Sequence, residues 1–161
     1  MTAPARPVPK VRESGTVLAF DYGERRIGVA VGDPGIGIAH PIATVDAGGR
    51  DRGFTAIARL IAEWQPALVV VGTPSRTDGA AHPIALKARR FARTLETRYR
   101  VKAALVDEHL TSNAAERRLR EADTSGRRLA NSLDAAAAAE ILVNWFEQAV
   151  RPAPAPSGEV N

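Results

Sequence analysis

Residues 67–72, Ala-Leu-Val-Val-Val-Gly, form an unbroken apolar run of strand length, closed on its N-terminal side by Pro66. A strand with one wet face alternates apolar with polar residues, so a run without a polar position is the pattern of a strand covered on both faces. Such covering calls for helices, and helical periodicity stands on both sides of the run. Residues 50–64 place Phe54, Ile57, Ala58, Leu60 and Ile61 on or near one helix face, and residues 82–98 read as a second helix. A further strand follows at 101–106. Upstream, 17–20 and 27–32 make a hairpin-like pair, with a third short strand at 41–45. A helix near 112–120, a polar stretch at 121–131 and a final helix from 133 to about 150 complete the chain. The order predicts an α/β domain: a mixed five-stranded sheet flanked by helices, whose first three strands meander.

A chain of 161 residues is ordinary for one domain, and 45% hydrophobic residues suffice for a real core. Segments 1–14 and 151–161 are rich in proline and small residues and are expected to be disordered ends around a domain at 15–150. No cysteine is present, which excludes disulfides, a thiol nucleophile and thiolate metal sites; His40, His82 and His109 lack zinc-ligand spacing. The start carries prolines and charges where a signal peptide needs an apolar stretch, and no apolar run approaches the roughly 20 residues that span a bilayer. A cytoplasmic protein without membrane contact is the expectation. The net charge of +4 favours a polyanionic partner such as nucleic acid.

Three acids stand out by position. Asp21 ends the apolar run of the first strand, Glu108 follows the strand at 101–106 with Asp107 beside it, and Asp134 opens the last helix. Ala138, Ile141 and Trp145 lie four, seven and eleven residues after Asp134, so that acid shares their apolar face and is aimed at the sheet. Alanines 135–139 let the backbone come close. Carboxylates converging at sheet ends need a countercharge, which a divalent cation supplies; an all-oxygen set without histidine or cysteine favours magnesium or manganese over zinc. Each acid also has a plainer reading. Asp21 fits an Asp-x-Gly turn, and Asp134 fits a first-turn acid favoured by the helix dipole, with Asn131 as cap.

Four motifs in order, FDYGERRIGVAVGDP, VVGTPSRTDG, VDEHLTS and LDAAAAAEIL, resemble the YqgF/RuvX family, described both as Holliday junction resolvase and as pre-16S ribosomal RNA nuclease. The resemblance spans about residues 15–148. It implies a ribonuclease H-like fold and Mg2+- or Mn2+-dependent phosphodiester hydrolysis, with the family's acids falling on Asp21, Glu108 and Asp134 as metal ligands and catalytic residues. It further implies a pair of metals about 4 Å apart that activate water and stabilise the leaving oxygen. Gly23 would give the turn room beside the substrate, and Arg25 or Arg26 would meet a phosphate. Arg76 fits either a phosphate contact or a solvated loop, and Thr111 and Ser112 fit a helix cap. Lys87, Arg90 and Arg93 recur at helical spacing; they fit a backbone-binding stripe, with a solvated helix face as the first reading. Arg127 and Arg128, with Arg117, Arg118 and Arg120, make a denser basic region around a mobile segment before Asp134, where nucleic-acid contact is favoured. Two departures stand against the pattern. His109 occupies a position where the family commonly carries arginine, and Asn131-Ser132 stand where a basic residue is expected.

Precursor ribosomal RNA is the favoured substrate, in 5′-end maturation, with branched DNA as the alternative; monomer and homodimer both remain open. A non-catalytic RNA-binding or transcription-associated module on the same fold is a rival that the intact acidic trio argues against. An ATPase of the actin and sugar-kinase type is the other rival. It needs two such domains, and the chain lacks a GK[ST] phosphate loop.

Overall fold

The computed structural model describes residues 15–48, 50–73, 83–107 and 127–150. In chain order the elements are β1 (Val17–Asp21), β2 (Arg26–Asp33), β3 (Ile38–Asp46), α1 (Arg50–Trp64), β4 (Leu68–Thr73), α2 (Pro83–Tyr99), β5 (Lys102–Asp107) and α3 (Arg127–Val150). The helix expected near 112–120 lies outside the described residues, as do segments 1–14 and 151–161. The five strands form one sheet in the order β3-β2-β1-β4-β5. β1, β2 and β3 run antiparallel to their neighbours as a meander, while β4 and β5 join β1 in parallel. The carboxyl ends of β1, β4 and β5 therefore share one edge of the sheet.

Both faces of the sheet are covered, as the apolar run of β4 requires. Leu18 and Phe20 point to the face roofed by α1 and α2, together with Ile27, Val29, Val31, Val69 and Val71. Val17 and Ala19 point to the opposite face, with Ala30, Leu68, Val70 and Val106, under the α3 residues Ala138, Ile141, Leu142, Trp145 and Phe146. The second face is built from smaller side chains. Gly28 and Gly32 lie four apart along β2: a Cβ at Gly28 would collide with the backbone carbonyl of Asp134, and one at Gly32 would press on Leu142 and Phe146. Helix α3 thus rests its backbone almost directly on β2, which no larger residue at 28 would permit.

Two details of the boundaries follow from local chemistry. α1 and α2 each end on a left-handed residue, Gln65 (φ 43°) and Arg100 (φ 54°). The amides of these residues donate to the carbonyls of Ile61 and Glu96, at 2.8 and 2.9 Å. This is the left-handed cap normally given to glycine, carried here by residues that take it at a cost. On the edge strand β3, the register against β2 shifts so that Val29 faces Ala43 while Ala30 faces Pro41, leaving Ile42 as the extra residue of a bulge.

The last helix departs from expectation. It begins at Arg127, where a start at 133 was expected. Asp134 therefore lies about two turns inside α3, so it neither opens the helix nor takes Asn131 as cap, and Arg127 and Arg128 occupy its first turn instead of a mobile segment. Asn131 and Ser132 are residues that compete with helix and favour caps, which is why they read as a boundary. The four-residue spacing of Leu129 and Leu133, continued by Ala137 and Ile141, is the competing signal that prevails.

Candidate active site at the carboxyl edge of the sheet

Strand alternation decides where each acid goes. Asp21 closes β1 on the parity of Val17 and Ala19, which belong to the α3 face, and it is half-buried. It lies opposite Gly28 on β2 and opposite Gly72 on β4. Asp134 arrives from above on α3 and is 9% exposed, with its carbonyl directly over Gly28. The two acids thus flank one glycine on one face of the sheet, and the absence of a Cβ at Gly28 is what lets α3 deliver its acid so low.

A buried carboxylate needs a partner. Arg26, the first residue of β2, has the parity of Gly28 and Ala30 and so also faces α3. Its Nε donates to Oδ2 of Asp134 at 2.6 Å, the arginine side chain being 31% exposed and the aspartate 12%. Arg26, expected to meet a phosphate, is here engaged with the acid. Arg25 is exposed in the β1–β2 loop, and its carbonyl accepts a hydrogen bond from the Ala47 amide at 2.8 Å. Gly23 in the same loop is required by the hairpin itself, since a Cβ there would press on the carbonyl of Arg26.

Asp107, the last residue of β5, falls on the parity of Val101 and Ala103, which pack toward α1 and α2. That is the face opposite Asp21 and Asp134. Glu108, Arg76, His109, Thr111, Ser112, Arg117, Arg118 and Arg120 lie outside the described residues. Among the described residues no three acidic or histidine side chains form a metal-binding group; the described acids at this edge of the α3 face are Asp21 and Asp134. These two still suit a hard divalent cation. They offer oxygen only, from a strand end and a helix, and Asp134 is held nearly buried by the guanidinium of Arg26.

Sequence reasoning passed over a second feature at the same end of the sheet. On the α1/α2 face a cavity of about 480 Å³ opens beside Tyr22, between Phe54 of α1 and Lys87, Arg90 and Phe91 of α2. Its signal was Tyr22 following Asp21 directly, with Lys87 and Arg90 one helical turn apart. Those cations read first as solvated because nothing in the sequence places them beside aromatic rings.

The model of the RuvX family, described as Holliday junction resolvase, matches residues 15–148. A protein of Methylobacillus flagellatus named "Putative pre-16S rRNA nuclease" is 47% identical over 141 residues, covering 88% of this chain and 97% of that protein. One of the same name from Chromobacterium violaceum is 52% identical over 132 residues, covering 81% and 96%. Among solved structures, Fowlpox virus resolvase with Holliday junction DNA superposes with a TM-score of 0.53 at 14% identity, covering 84% of this chain and 99% of that one. Thermus thermophilus RuvC with a Holliday junction substrate gives 0.50 at 17%, covering 83% and 94%. At these identities the likeness speaks for the fold, which is ribonuclease H-like, as expected from the sequence.

Proposed function

This chain belongs to the RuvX family, and from that premise we propose that it is a divalent-metal-dependent endonuclease that hydrolyses phosphodiester bonds in the maturation of precursor 16S ribosomal RNA. The observation that carries the reading is the convergence of Asp21 and Asp134 on Gly28, from a strand end and a helix, on one face of the sheet. Two carboxylates brought to one glycine from separate elements are an oxygen-only ligand set of the kind a hard divalent cation takes.

Asp21, Asp134 and Glu108 would hold Mg2+ or Mn2+. Glu108 is preferred to Asp107 because Asp107 has the parity of the opposite face. When bound, the cation supplies Lewis-acid polarisation of the phosphate and lowers the pKa of a coordinated water. Arg26 fixes the Asp134 carboxylate from the strand side. Arg25, Arg76, Arg127 and Arg128 would serve the nucleic-acid backbone. Helix α3 has two arginines and no acid in its first turn, against the preference of the helix dipole, and this local violation supports a role in binding an anion over one in stability. Among the described residues no helix is long and apolar enough to cross a membrane, and the setting proposed is the cytoplasm.

The relatives' shared name, over 96–97% of their own length, favours precursor ribosomal RNA. The likeness to junction-bound resolvases keeps branched DNA as the second substrate. Purified protein given both, with and without magnesium, separates the two. Asp21→Asn and Asp134→Asn should each reduce cleavage by at least about 100-fold while melting as cooperatively as the wild type. Full cleavage by either variant would remove the carboxylate site and the reading with it.

A further inference from the structure

The cavity on the α1/α2 face is a built recess of mixed character. Its floor is apolar, made by Ile27, Ile57 and Phe91, all buried. Phe91 gathers the aromatic side chains around it: the ring of Tyr22 lies 5.2 Å away at 41°, and that of Phe54 lies 6.3 Å away at 33°. Phe54 is held by two further contacts. The Arg98 guanidinium sits 4.6 Å from its ring centroid, and the Tyr99 hydroxyl donates to its carbonyl at 3.1 Å. The wall is therefore fixed, which spares a ligand the cost of ordering it.

The mouth is cationic. Lys87 and Arg90 stand one turn apart on α2, both exposed. Glu24 accepts from Lys87 Nζ at 2.9 Å and raises the lysine pKa above its usual value. That pair is half-exposed and readily exchanged. Arg90 has no ion-pair partner among the described residues. At about 480 Å³ the space falls within the roughly 300–1,000 Å³ of small-molecule sites.

We propose that this recess binds an unpaired nucleotide, its base lying against Tyr22 and Phe54 and its phosphate at the Arg90 and Lys87 side chains. A flat ring with an anionic appendage matches aromatic walls beneath a cationic rim; an aliphatic ligand would leave the cations unused, and a bare anion would leave the rings unused. That the nucleotide belongs to the substrate strand rests on the nuclease reading. Asp21 and Tyr22 are consecutive, about 3.8 Å apart at Cα, and alternation sends them to opposite faces. A single strand crossing the sheet edge there would set a phosphate by the carboxylates and turn the neighbouring base into the recess. Only an unpaired base can do so, and single-stranded segments are where proteins read RNA.

The test begins without divalent metal, so that it does not depend on cleavage. Titration calorimetry of the full chain should show adenosine 5′-monophosphate binding at least tenfold tighter than ribose 5-phosphate or adenosine. Tyr22→Leu and Arg90→Gln should each weaken it about tenfold, Tyr22→Phe should retain it, and Asp21→Asn should leave it unchanged. Equal binding of adenosine 5′-monophosphate and ribose 5-phosphate, or indifference to both variants, would overturn the site even if RNA cleavage is intact. In a second arm, both variants should weaken single-stranded oligoribonucleotide binding in the same proportion and leave duplex binding alone. Weakened mononucleotide binding with unaltered oligonucleotide binding would overturn the substrate role. Loss of cleavage control by Asp21 would instead sink the nuclease reading and leave the mononucleotide result standing.

Discussion

The two faces of this sheet are built from the same five strands and do opposite things. Toward α3 the strands present small residues, among them Ala19, Gly28, Ala30 and Gly32, and the helix descends until its backbone touches β2. Toward α1 and α2 they present Leu18, Phe20, Ile27, Val29 and Val31, and the helices stand off far enough to leave a cavity beside Tyr22. The small face fixes an acid by contact; the large face leaves space for a ligand. Strand alternation here is an alternation of volume, and on the proposed reading it divides the labour between chemistry and recognition.

The contrast is sharpest when one residue is changed on each side. Leu95→Ala removes a fully buried side chain of α2 and should cost about 2–5 kcal/mol, read as the free energy of urea unfolding. Cleavage per folded molecule should persist, because the carboxylates are on the other face. Gly28→Ala should cost less, about 1–3 kcal/mol, yet it should abolish cleavage, because α3 must lift and carry Asp134 away. A Gly28→Ala protein with normal activity would show that the close approach of α3 is incidental to the site.

A smaller effect belongs to Arg26. Arg26→Gln leaves the Asp134 carboxylate without its guanidinium, and because the arginine is partly exposed the loss should be about 1–2 kcal/mol. Here magnesium can replace the missing charge. Its addition should raise the melting temperature of Arg26→Gln more than that of the wild type, each measured against sodium at equal ionic strength. Equal responses would mean that Asp134 is not a ligand. Smallest, Gln65→Gly should add about 1 kcal/mol of stability by relieving the left-handed cap of α1, and it should leave both faces functionally unchanged.

Much of this was legible in the chain. The double-faced strand at β4, the meander and the bounds of α1 follow from periodicity, since each is a strong local pattern. The face of Asp134 was also legible, because a helical phase fixes direction wherever the helix begins. The start of α3 was not, because Asn131 and Ser132 imitate a cap and mask the four-residue spacing of Leu129 and Leu133 that carries the helix through them. The partner of Arg26 is 108 residues away in sequence, a distance over which no spacing argument reaches. The volume alternation in RIGVAVGD was present to be read, but scoring glycine, alanine and valine alike as permissive strand residues hides it.

The bulge at Ile42 and the proline beside it have a bearing on assembly. β3 is an outer strand of the sheet, and an outer strand that is straight and regular invites another chain to pair with it. Pro41 contributes no amide hydrogen, and the extra residue bends the strand at mid-length. A second copy therefore finds no even ladder to extend on that side. Any self-association through β3 must be made by side chains such as the exposed Ile36 and Ile38 near its start, giving contacts that dilution can reverse and making that edge a poor template for fibre-like growth.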